Sequence, residues 1–484
     1  MPLTAAFQSA VAWAEQIRSG EVSSVEALRF HLDRVDRHNP GLNAIVSLRA
    51  EEAMRDAQRA DAALARGDRV GVLHGVPMTV KESFDVSGLQ TTWGAPAHRG
   101  NVATADAAAV ARLRAQGAIV FGKTNVPQML ADWQSFNPVY GSTNNPWDRS
   151  RSPGGSSGGS AAALAAGMTA LELGSDIAAS VRNPAHFCGL FGHKPSFGIV
   201  PQAGHGVGRA DLPIDLLVCG PLARSADDLA VALDVLVGPE PTDPHLRIEL
   251  PRARFDSWKG VRVAVRATDP LCEVDDEVQA AVQRAASLAA EAGALVDWEP
   301  RPFPHGAQAH EVYIRLLRAA TGPFLSDEEH AAMVTHASTL REGDQSYGAR
   351  NIRGVTQLHR EWYDAHRARA RIRAGWRDFF SRYDVLICPV SPTPAFPHIQ
   401  DVPRLERKLL VNGQLRDYND QIFWPGLATL SYLPATVVPM GRTAGGLPVG
   451  VQIMSDFGQD RTTIAAAKLL GEMSGGFVPP DDYA

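Results

Sequence analysis

The sequence has few of the features that mark secreted or membrane-spanning proteins. Only four of its 484 residues are cysteine, and no two of them form a C-x-x-C pair. We therefore expect reduced, mostly buried thiols rather than a disulfide framework. The N-terminus lacks a basic segment followed by an apolar one, so no signal peptide is expected. No apolar run approaches the roughly 18 to 20 residues that a membrane span needs. These absences predict a soluble, cytoplasmic protein.

Excess positive charge and grouped metal ligands are also missing. The formal net charge is −6 and the isoelectric point is about 6.2, which argues against general nucleic-acid binding. The 15 histidines are dispersed and form no H-E-x-x-H motif, which argues against a metal site. We expect no metal and no other cofactor. Basic residues alternate with aromatic ones over 359–376, a pattern that can bind RNA, but we interpret it as a solvated helix face with aromatic core contacts.

What is present is enough apolar sequence for one large α/β domain. Hydrophobic residues make up 45% of the chain and charged residues 21%. After helices over residues 4–66, the pattern alternates between strand and helix, which predicts parallel strands joined by crossover helices. The predicted elements are a strand running into Lys81, a helix over 106–116, strands over 118–122 and 261–265, a helix over 275–292 and a strand over 294–298. We divide the predicted single domain into a helical N-terminal part (1–66), a core (67–238 and 384–473), and a βαβ and helical cap region (255–383).

The most distinctive stretch is a glycine–serine run, Gly154 to Ser160, followed by an alanine-rich segment over 161–166. A flexible linker would stay polar and low in complexity. This run instead enters buried-looking sequence, then a turn over 174–179 that delivers Ser180. We interpret its glycines as serving backbone geometry and close approach.

These residues resemble the amidase signature family. Its G-G-S-S-G-G run corresponds to residues 154–159, its D-I-G-G-S motif to Asp176 through Ser180, and its upstream lysine to Lys81 in V-P-M-T-V-K. The resemblance implies a catalytic triad of Lys81, Ser156 (reached through a cis peptide bond) and the nucleophile Ser180. It also implies a fold in which a large mixed, mostly parallel sheet is covered by helices on both faces and carries a helical cap insertion. Ser157, Asp176 and Arg182 are expected to support the site.

Other readings of the same residues remain open. A lysine after an apolar strand could form a structural salt bridge with Glu82 or Asp85, whereas burial would favour the neutral amine that a general base requires. His186 and His193 could indicate serine–histidine chemistry, but no G-x-S-x-G elbow surrounds Ser180. Cys188 lacks a polar activator in the sequence, so we assign it to the core.

The turn before Ser180 departs from the family pattern, because Ala178 and Ala179 replace two glycines. In the family's arrangement the backbone N–H groups of Ile177, Ala178 and Ala179 line an oxyanion hole. Alanine still donates an N–H group. If the fold needs a positive φ there, each alanine adds strain of about 1 kcal/mol or more.

The resemblance implies an amidase that cleaves a linear carbon–nitrogen bond, in an amide, anilide or carbamate, of a small and largely apolar substrate. Relatives of the aryl acylamidase, urethanase and cyclic-oligoamide hydrolase kinds fit this prediction, and the cap should determine specificity. The expected assembly is a monomer or homodimer without nucleic-acid or membrane partners. The alternatives are an inactive scaffold and the glutamine-hydrolysing component of a tRNA-dependent amidotransferase. Apolar residues predicted to line the pocket are Met129, Leu130, Trp133, Phe136, Phe423 and Trp424.

Overall fold

The computed structural model describes residues 3–208 and 212–484; Met1 and Pro2, part of the N-terminal segment considered above, lie outside the described residues. Within these ranges the chain forms 15 β-strands and 14 α-helices. The strands are β1 (Ile45–Leu48), β2 (Pro77–Lys81), β3 (Ile119–Thr124), β4 (Phe136–Asn137), β5 (Gly141–Ser142), β6 (Glu172–Asp176), β7 (Phe191–Lys194), β8 (Val218–Ala223), β9 (Arg262–Val265), β10 (Leu295–Asp297), β11 (Val385–Pro389), β12 (Lys408–Val411), β13 (Gln414–Asp417), β14 (Ala435–Arg442) and β15 (Pro448–Met454). The helices are α1 (Ala10–Ser19), α2 (Ser24–Leu42), α3 (Ala50–Ala65), α4 (Ala108–Ala115), α5 (Gly158–Ala165), α6 (Arg182–Cys188), α7 (Ala226–Leu236), α8 (Asp276–Glu291), α9 (Ala307–Thr321), α10 (Asp327–Ala337), α11 (Tyr347–Val355), α12 (His359–Arg382), α13 (Phe423–Thr429) and α14 (Asp460–Ser474).

A mixed sheet of eleven strands organises the described part of the chain. Its order is β1-β3-β2-β6-β8-β7-β14-β15-β11-β9-β10. The expected large mixed sheet is confirmed, but parallel pairing is confined to two groups, β3-β2-β6 and β11-β9-β10. These groups contain the predicted crossover units β2–α4–β3 and β9–α8–β10. The strands between them pair antiparallel, because connections such as the short turn over 443–447 reverse the chain instead of crossing over the sheet.

Helices cover both faces of this sheet, as expected. On one face α7, α8 and α14 pack together against β7, β8, β11, β14 and β15, and α4 contacts α7. On the other, α5 and α6 contact each other and pack on strands from β2 to β15. Two separate helix layers therefore bury the two sides of the sheet, and the buried strands β2, β3, β6 and β8 have no exposed residue.

The helical N-terminal part contains one strand that the sequence pattern did not indicate. Helix α2 begins at a capping box in which Ser23 and Glu26 bond each other's backbone N–H groups, as expected for Ser23-Ser24 before a helix. Between α2 and α3 lies β1, which pairs antiparallel with β3. Four residues are too few to show a period-two pattern, so only the pairing with β3 makes this segment a strand.

Helices α9 to α12 form the predicted cap: α9 contacts α11, α12 and α13, and α10 contacts α11. An additional hairpin, β12–β13, was not predicted. No described helix combines the length and the apolar sequence that a bilayer crossing needs.

Candidate active site

Two neighbouring parallel strands bring the lysine and the nucleophile turn together. Lys81 is the last residue of β2, and β2 pairs with β6, whose last residues are Ser175 and Asp176. Both strands end at the same edge of the sheet, where such folds place ligands. Ser180 lies in the turn between the end of β6 and the start of α6 at Arg182.

The glycine–serine run is buried and closely packed, and it is not a flexible linker. A Cβ on Gly155 would lie 2.4 Å from the Asp132 carbonyl oxygen, and one on Gly159 would lie 2.3 Å from the Asn125 backbone nitrogen. The interpretation that close approach requires these glycines is therefore confirmed. The peptide bond between Gly155 and Ser156 is cis.

Lys81 is fully buried and bonds to two serines. Its Nζ lies 2.6 Å from Ser156 Oγ and 2.9 Å from Ser175 Oγ. Among the described residues it forms no ion pair; Glu82 instead accepts bonds from the backbone of Thr92 and Trp93. Burial lowers the pKa of Lys81 to about 7, against the opposing effect of the nearby Asp176 carboxylate. Near neutral pH the amine therefore exists in both protonation states.

The predicted supporting residues hold the turn from beneath. Arg182 is fully buried and forms two bonds to the Asp176 carboxylate, at 3.0 and 2.9 Å. Its other bonds go to Thr429, Gln452 and the Pro425 carbonyl. Burial would raise the pKa of Asp176, but the charge and hydrogen bonds of Arg182 lower it overall.

The adjacent Ser157 ties the two serine segments together. Its backbone N–H donates to the Ser180 carbonyl at 3.1 Å, and its hydroxyl contacts the Ser175 carbonyl oxygen at 3.4 Å. The backbones that carry Ser156 and Ser180 therefore lie side by side.

The geometry divides the three predicted oxyanion donors into two groups. The N–H of Ala179 donates to Asp176 Oδ1 at 2.9 Å, so Ala179 is unavailable and the prediction for it is corrected. The N–H groups of Ile177 and Ala178 bond to no described residue. Tyr313 Oη donates to the Ile177 carbonyl and Trp133 Nε1 to the Ala178 carbonyl, each at 2.9 Å. Since N–H and C=O point in opposite directions across a trans peptide, the Tyr313 bond directs the Ala178 N–H away from Tyr313.

The sequence raised the question whether either alanine of the turn adopts a positive φ, and one of them does. Ala179 has φ of 79°, in the left-handed region, whereas Ala178 does not have a positive φ. For a residue with a Cβ this conformation costs roughly 1 to 2 kcal/mol. The strain therefore falls on one alanine, and that alanine is the one bonded to Asp176.

Sequence reasoning missed two polar residues next to Lys81. Ser175 Oγ, which accepts from Lys81, lies 2.9 Å from His205 Nε2, and the same nitrogen lies 2.9 Å from Ser83 Oγ. Burial, and then the charge of Lys81, lower the pKa of His205 to about 3, so its ring is neutral. Ser175 could have been found as the residue before Asp176 in the motif, but nothing in the sequence connects His205 to this site.

A cavity of about 390 Å³ is lined by Ser180 and by Ile177 and Ala178, the two residues of the turn whose N–H groups bond to no described residue. Met129, Leu130 and Trp133 line it as predicted. Cap helices supply further walls through Leu317 and Arg318 of α9, Met333 of α10 and Val355 of α11.

The other three predicted pocket residues lie elsewhere. Phe423 and Trp424 are in the core, with exposures of 1% and 0%, and Phe423 packs on His305 and His310. Phe136 lies beneath the Arg407 guanidinium and outside the cavity lining. Helix α13 buries its first two residues as it packs under α9, so apolar character alone did not distinguish core from cavity.

The remaining candidates do not contact Ser180. His186 bonds to backbone groups of Gly450 and Thr393, and His193 pairs with Asp460. Burial raises the pKa of the Cys188 thiol, which agrees with its assignment to the core.

The family model described as Amidase matches residues 26–464. The chain belongs to the amidase family. It is 34% identical over 478 residues to an indoleacetamide hydrolase of Bradyrhizobium diazoefficiens, covering 96% of this chain and 86% of the relative. It is 34% identical over 474 residues to an acylamidase of Rhodococcus erythropolis, covering 95% of this chain and 94% of the relative. The solved structure of 6-aminohexanoate cyclic dimer hydrolase with its substrate superposes with a TM-score of 0.81 at 27% identity, covering 99% of this chain and all of the other. These relationships make the chain an amide hydrolase.

Glutamyl-tRNA(Gln) amidotransferases also contain a similar chain. The glutamyl-tRNA(Gln) amidotransferase component of a Synechococcus species is 32% identical over 469 residues, covering 92% of each chain. The alternative prediction, a glutamine-hydrolysing component of a tRNA-dependent amidotransferase, is therefore also represented among the similar proteins.

Proposed function

We propose that this amidase cleaves a linear amide, anilide or carbamate of a small, largely apolar substrate through an acyl-enzyme on Ser180. The observation that carries the proposal is the 2.6 Å contact between buried Lys81 and Ser156, next to Ser180, which lines a mostly apolar cavity together with Ile177 and Ala178. The similarity to an indoleacetamide hydrolase supports a substrate with an apolar body.

The first half of the reaction forms the acyl-enzyme. Neutral Lys81 accepts the proton of Ser156, whose oxygen accepts the proton of Ser180. The Ser180 oxygen then bonds to the substrate carbonyl carbon, and the resulting oxyanion accepts hydrogen bonds from the N–H groups of Ile177 and Ala178. The carbon–nitrogen bond breaks as Ser156 donates a proton to the leaving amine and regains one from Lys81.

In the second half, water takes the place of the amine. It loses a proton to the same Ser156–Lys81 pair as its oxygen attacks the ester carbon. The carbon–oxygen bond to Ser180 breaks, Ser180 regains its proton, and the carboxylic acid leaves. Lys81 ends in its neutral form, so the cycle consumes only the amide and water.

The test is hydrolysis of an anilide, an aryl carbamate, a fatty amide and glutamine by wild type and Ser180→Ala. We expect turnover of the anilide or carbamate, and its loss in the variant. A fluorophosphonate probe should label wild type and leave Ser180→Ala unlabelled. Absence of both turnover and labelling in wild type would favour the inactive scaffold, and full activity of Ser180→Ala would exclude the mechanism.

The similarity to a glutamyl-tRNA(Gln) amidotransferase component keeps glutamine as a second candidate substrate. Glutamine carries an α-ammonium group that needs a free carboxylate. The acids lining the cavity are Asp132 and Glu329; Asp132 pairs with Arg407, and Glu329 caps α10. This arrangement favours the free-standing amidase, and ammonia release from glutamine alone in the panel would reverse that preference.

A further inference from the structure

An arginine without a partner lines the cavity that contains Ser180. Arg318 lies on α9, in the cap, and contributes to the cavity wall. Its guanidinium forms no hydrogen bond or ion pair with any described residue, and its Nε is buried without a partner. Arg318 is partly buried, and a cation removed from water is costly unless it is paired, so this position favours an anion that the described protein groups do not supply.

A second guanidinium faces the same cavity. Arg404 lies 4.9 Å from the Trp133 ring centre, and one of its terminal nitrogens donates to the Ala131 carbonyl at 2.8 Å. Its Nε is also buried without a partner, and no carboxylate of the described residues pairs with it. The two cations add to each other's field in this part of the cavity.

The negative groups of the cavity wall are already committed. Asp132 accepts bonds from Arg407 at 2.5 Å and from Tyr418 at 2.6 Å, and Glu329 accepts from the Ser326 backbone at 2.8 Å. Burial, and then the charge of Arg404, lower the pKa of Arg318 to about 9. Arg318 is therefore still charged at neutral pH, and neither carboxylate of the cavity wall pairs with it.

Three buried arginines of this chain have partners for their guanidinium groups. Arg34 donates to three backbone carbonyls, Arg369 pairs with Asp215 at 2.8 Å, and Arg182 pairs with Asp176. The unpaired guanidinium of Arg318 contrasts with these three, and it lies where a ligand can supply the missing acceptor.

We propose that the natural substrate carries a carboxylate, which Arg318 binds at the cap side of the cavity and Arg404 attracts. The proposal rests on the amide hydrolysis proposed above and narrows its substrate class. The apolar body of the substrate would pack on Met129, Leu130 and Leu317, with its amide carbon next to Ser180. A guanidinium suits this role, because its planar fork can bind both oxygens of one carboxylate.

The decisive measurement is binding by calorimetry to the Ser180→Ala variant, which separates recognition from turnover. The probes are the monoanilide of glutaric acid and its methyl ester, which differ in one negative charge. We expect the acid to bind about tenfold to hundredfold more tightly than the ester. Adding Arg318→Met should remove that preference while leaving ester binding within about twofold.

Arg315→Met is the matched control. Arg315 lies one turn earlier on α9 and pairs with Glu311 at 3.4 Å outside the cavity lining, so its loss should leave the preference intact. Arg318→Lys keeps a charge but not the planar fork, and it should retain part of the preference. That variant remains informative if Arg318→Met does not fold.

The same probe pair, used with Ser180 present, distinguishes the two proposals. A preference for the acid in binding without any turnover would contradict the proposed function and leave the carboxylate site standing. Turnover of both anilides with equal kcat/KM would support the proposed function and contradict the carboxylate site. Binding of neither probe, or equal binding of both by Ser180→Ala with Arg318 intact, overturns the carboxylate site.

Discussion

The two sides of the cavity that contains Ser180 differ in charge pairing: on one side the buried charges are paired, and on the other an arginine has no partner among the described residues. The floor of the proposed active site is defined here as Lys81, Ser156, Ser175, Asp176 and Ser180, and hydrogen bonds within the protein hold it in place. The Asp176 carboxylate is paired with Arg182, whose other nitrogens are bonded. The cap wall, defined as the cavity-lining residues of α9 to α11, contains the charged residue Arg318, which has no partner among the described residues. A satisfied network is rigid and suited to chemistry. An unsatisfied group leaves a bond for the substrate to make.

The floor and the cap wall also differ in how their residues are arranged along the sequence. The floor is built from three short motifs: two lie at the ends of the adjacent strands β2 and β6, and the third is the glycine–serine run that leads into α5. The cap wall is built from three helices whose side chains meet only after folding. Chemistry is therefore expected to change little, and substrate choice more, when cap residues are altered.

The largest expected effect is loss of the base. Lys81→Ala should reduce kcat by about 10³-fold or more, because Ser156 then has no proton acceptor. In wild type, kcat/KM should fall about tenfold per pH unit below about 7, since the pKa of Lys81 is lowered to about 7 and only the neutral amine, which predominates above that pH, accepts the proton. Steady-state rates across pH 5 to 9 (roughly the range where His and a shifted Lys titrate) check this.

Lys123→Met is the control for that experiment. Lys123 is also buried, on the neighbouring strand β3, but it bonds to Gln90 and Thr91 and not to Ser156. It should keep the pH midpoint of wild type. A wild-type rate that is flat through pH 7 would contradict the assignment of Lys81 as base.

Next in size is a contrast between paired and unpaired arginines. Asp176→Asn should lower the free energy of unfolding by about 3 kcal/mol, because it leaves Arg182 buried without its counter-charge. Arg318→Met should leave the free energy of unfolding unchanged or raise it by about 1 kcal/mol, because no protein bond is lost. Chemical denaturation of both variants measures the difference; an equal loss in the two would remove the distinction between floor and wall.

A smaller effect is expected at His205, which reaches Lys81 only through Ser175. His205→Ala should lower kcat about tenfold with little change in KM, because Ser175 loses the bond that fixes its hydroxyl. Water entering the vacated space should move the midpoint of the pH–rate profile upward, towards the ordinary pKa of lysine. Ser83→Ala removes the other hydroxyl on the same ring nitrogen and should leave the midpoint in place. A His205→Ala variant that loses stability but keeps the wild-type pH profile would show a purely structural role.

The smallest effect tests the strained turn. Ala179→Gly should raise the free energy of unfolding by up to about 1 kcal/mol, because it relieves the positive φ. Ala178→Gly should lower it by about 0.5 to 1 kcal/mol, since Ala178 has no such strain to relieve and glycine adds flexibility to the unfolded chain. Thermal unfolding of the two variants gives the comparison, and the same sign in both would argue against strain at Ala179.

Much of this architecture could be predicted from local sequence. The helices within residues 4–66 were predicted, and so was α8 with a strand on each side, because each of these helices is long enough to show its own periodicity. The antiparallel centre of the sheet and β1 were not, since strand direction and the pairing of a four-residue segment depend on distant partners. Phe423 and Trp424 have the composition of a pocket, but the packing of α13 under α9 buries them.

The sequence by itself determined the family and every residue of the floor except Ser175, because Lys81, Ser156, Asp176 and Ser180 sit in motifs whose turns and glycines specify local geometry. Only the tertiary structure decided which N–H groups of the turn are free, which alanine is strained and which arginine lacks a partner. Each of these depends on a bond made or missing between residues far apart in the chain, such as Tyr313 with Ile177 and Trp133 with Ala178. Hydrogen bonds and ion pairs form between groups that are close in the folded protein, and short-range sequence patterns do not show which distant groups will meet.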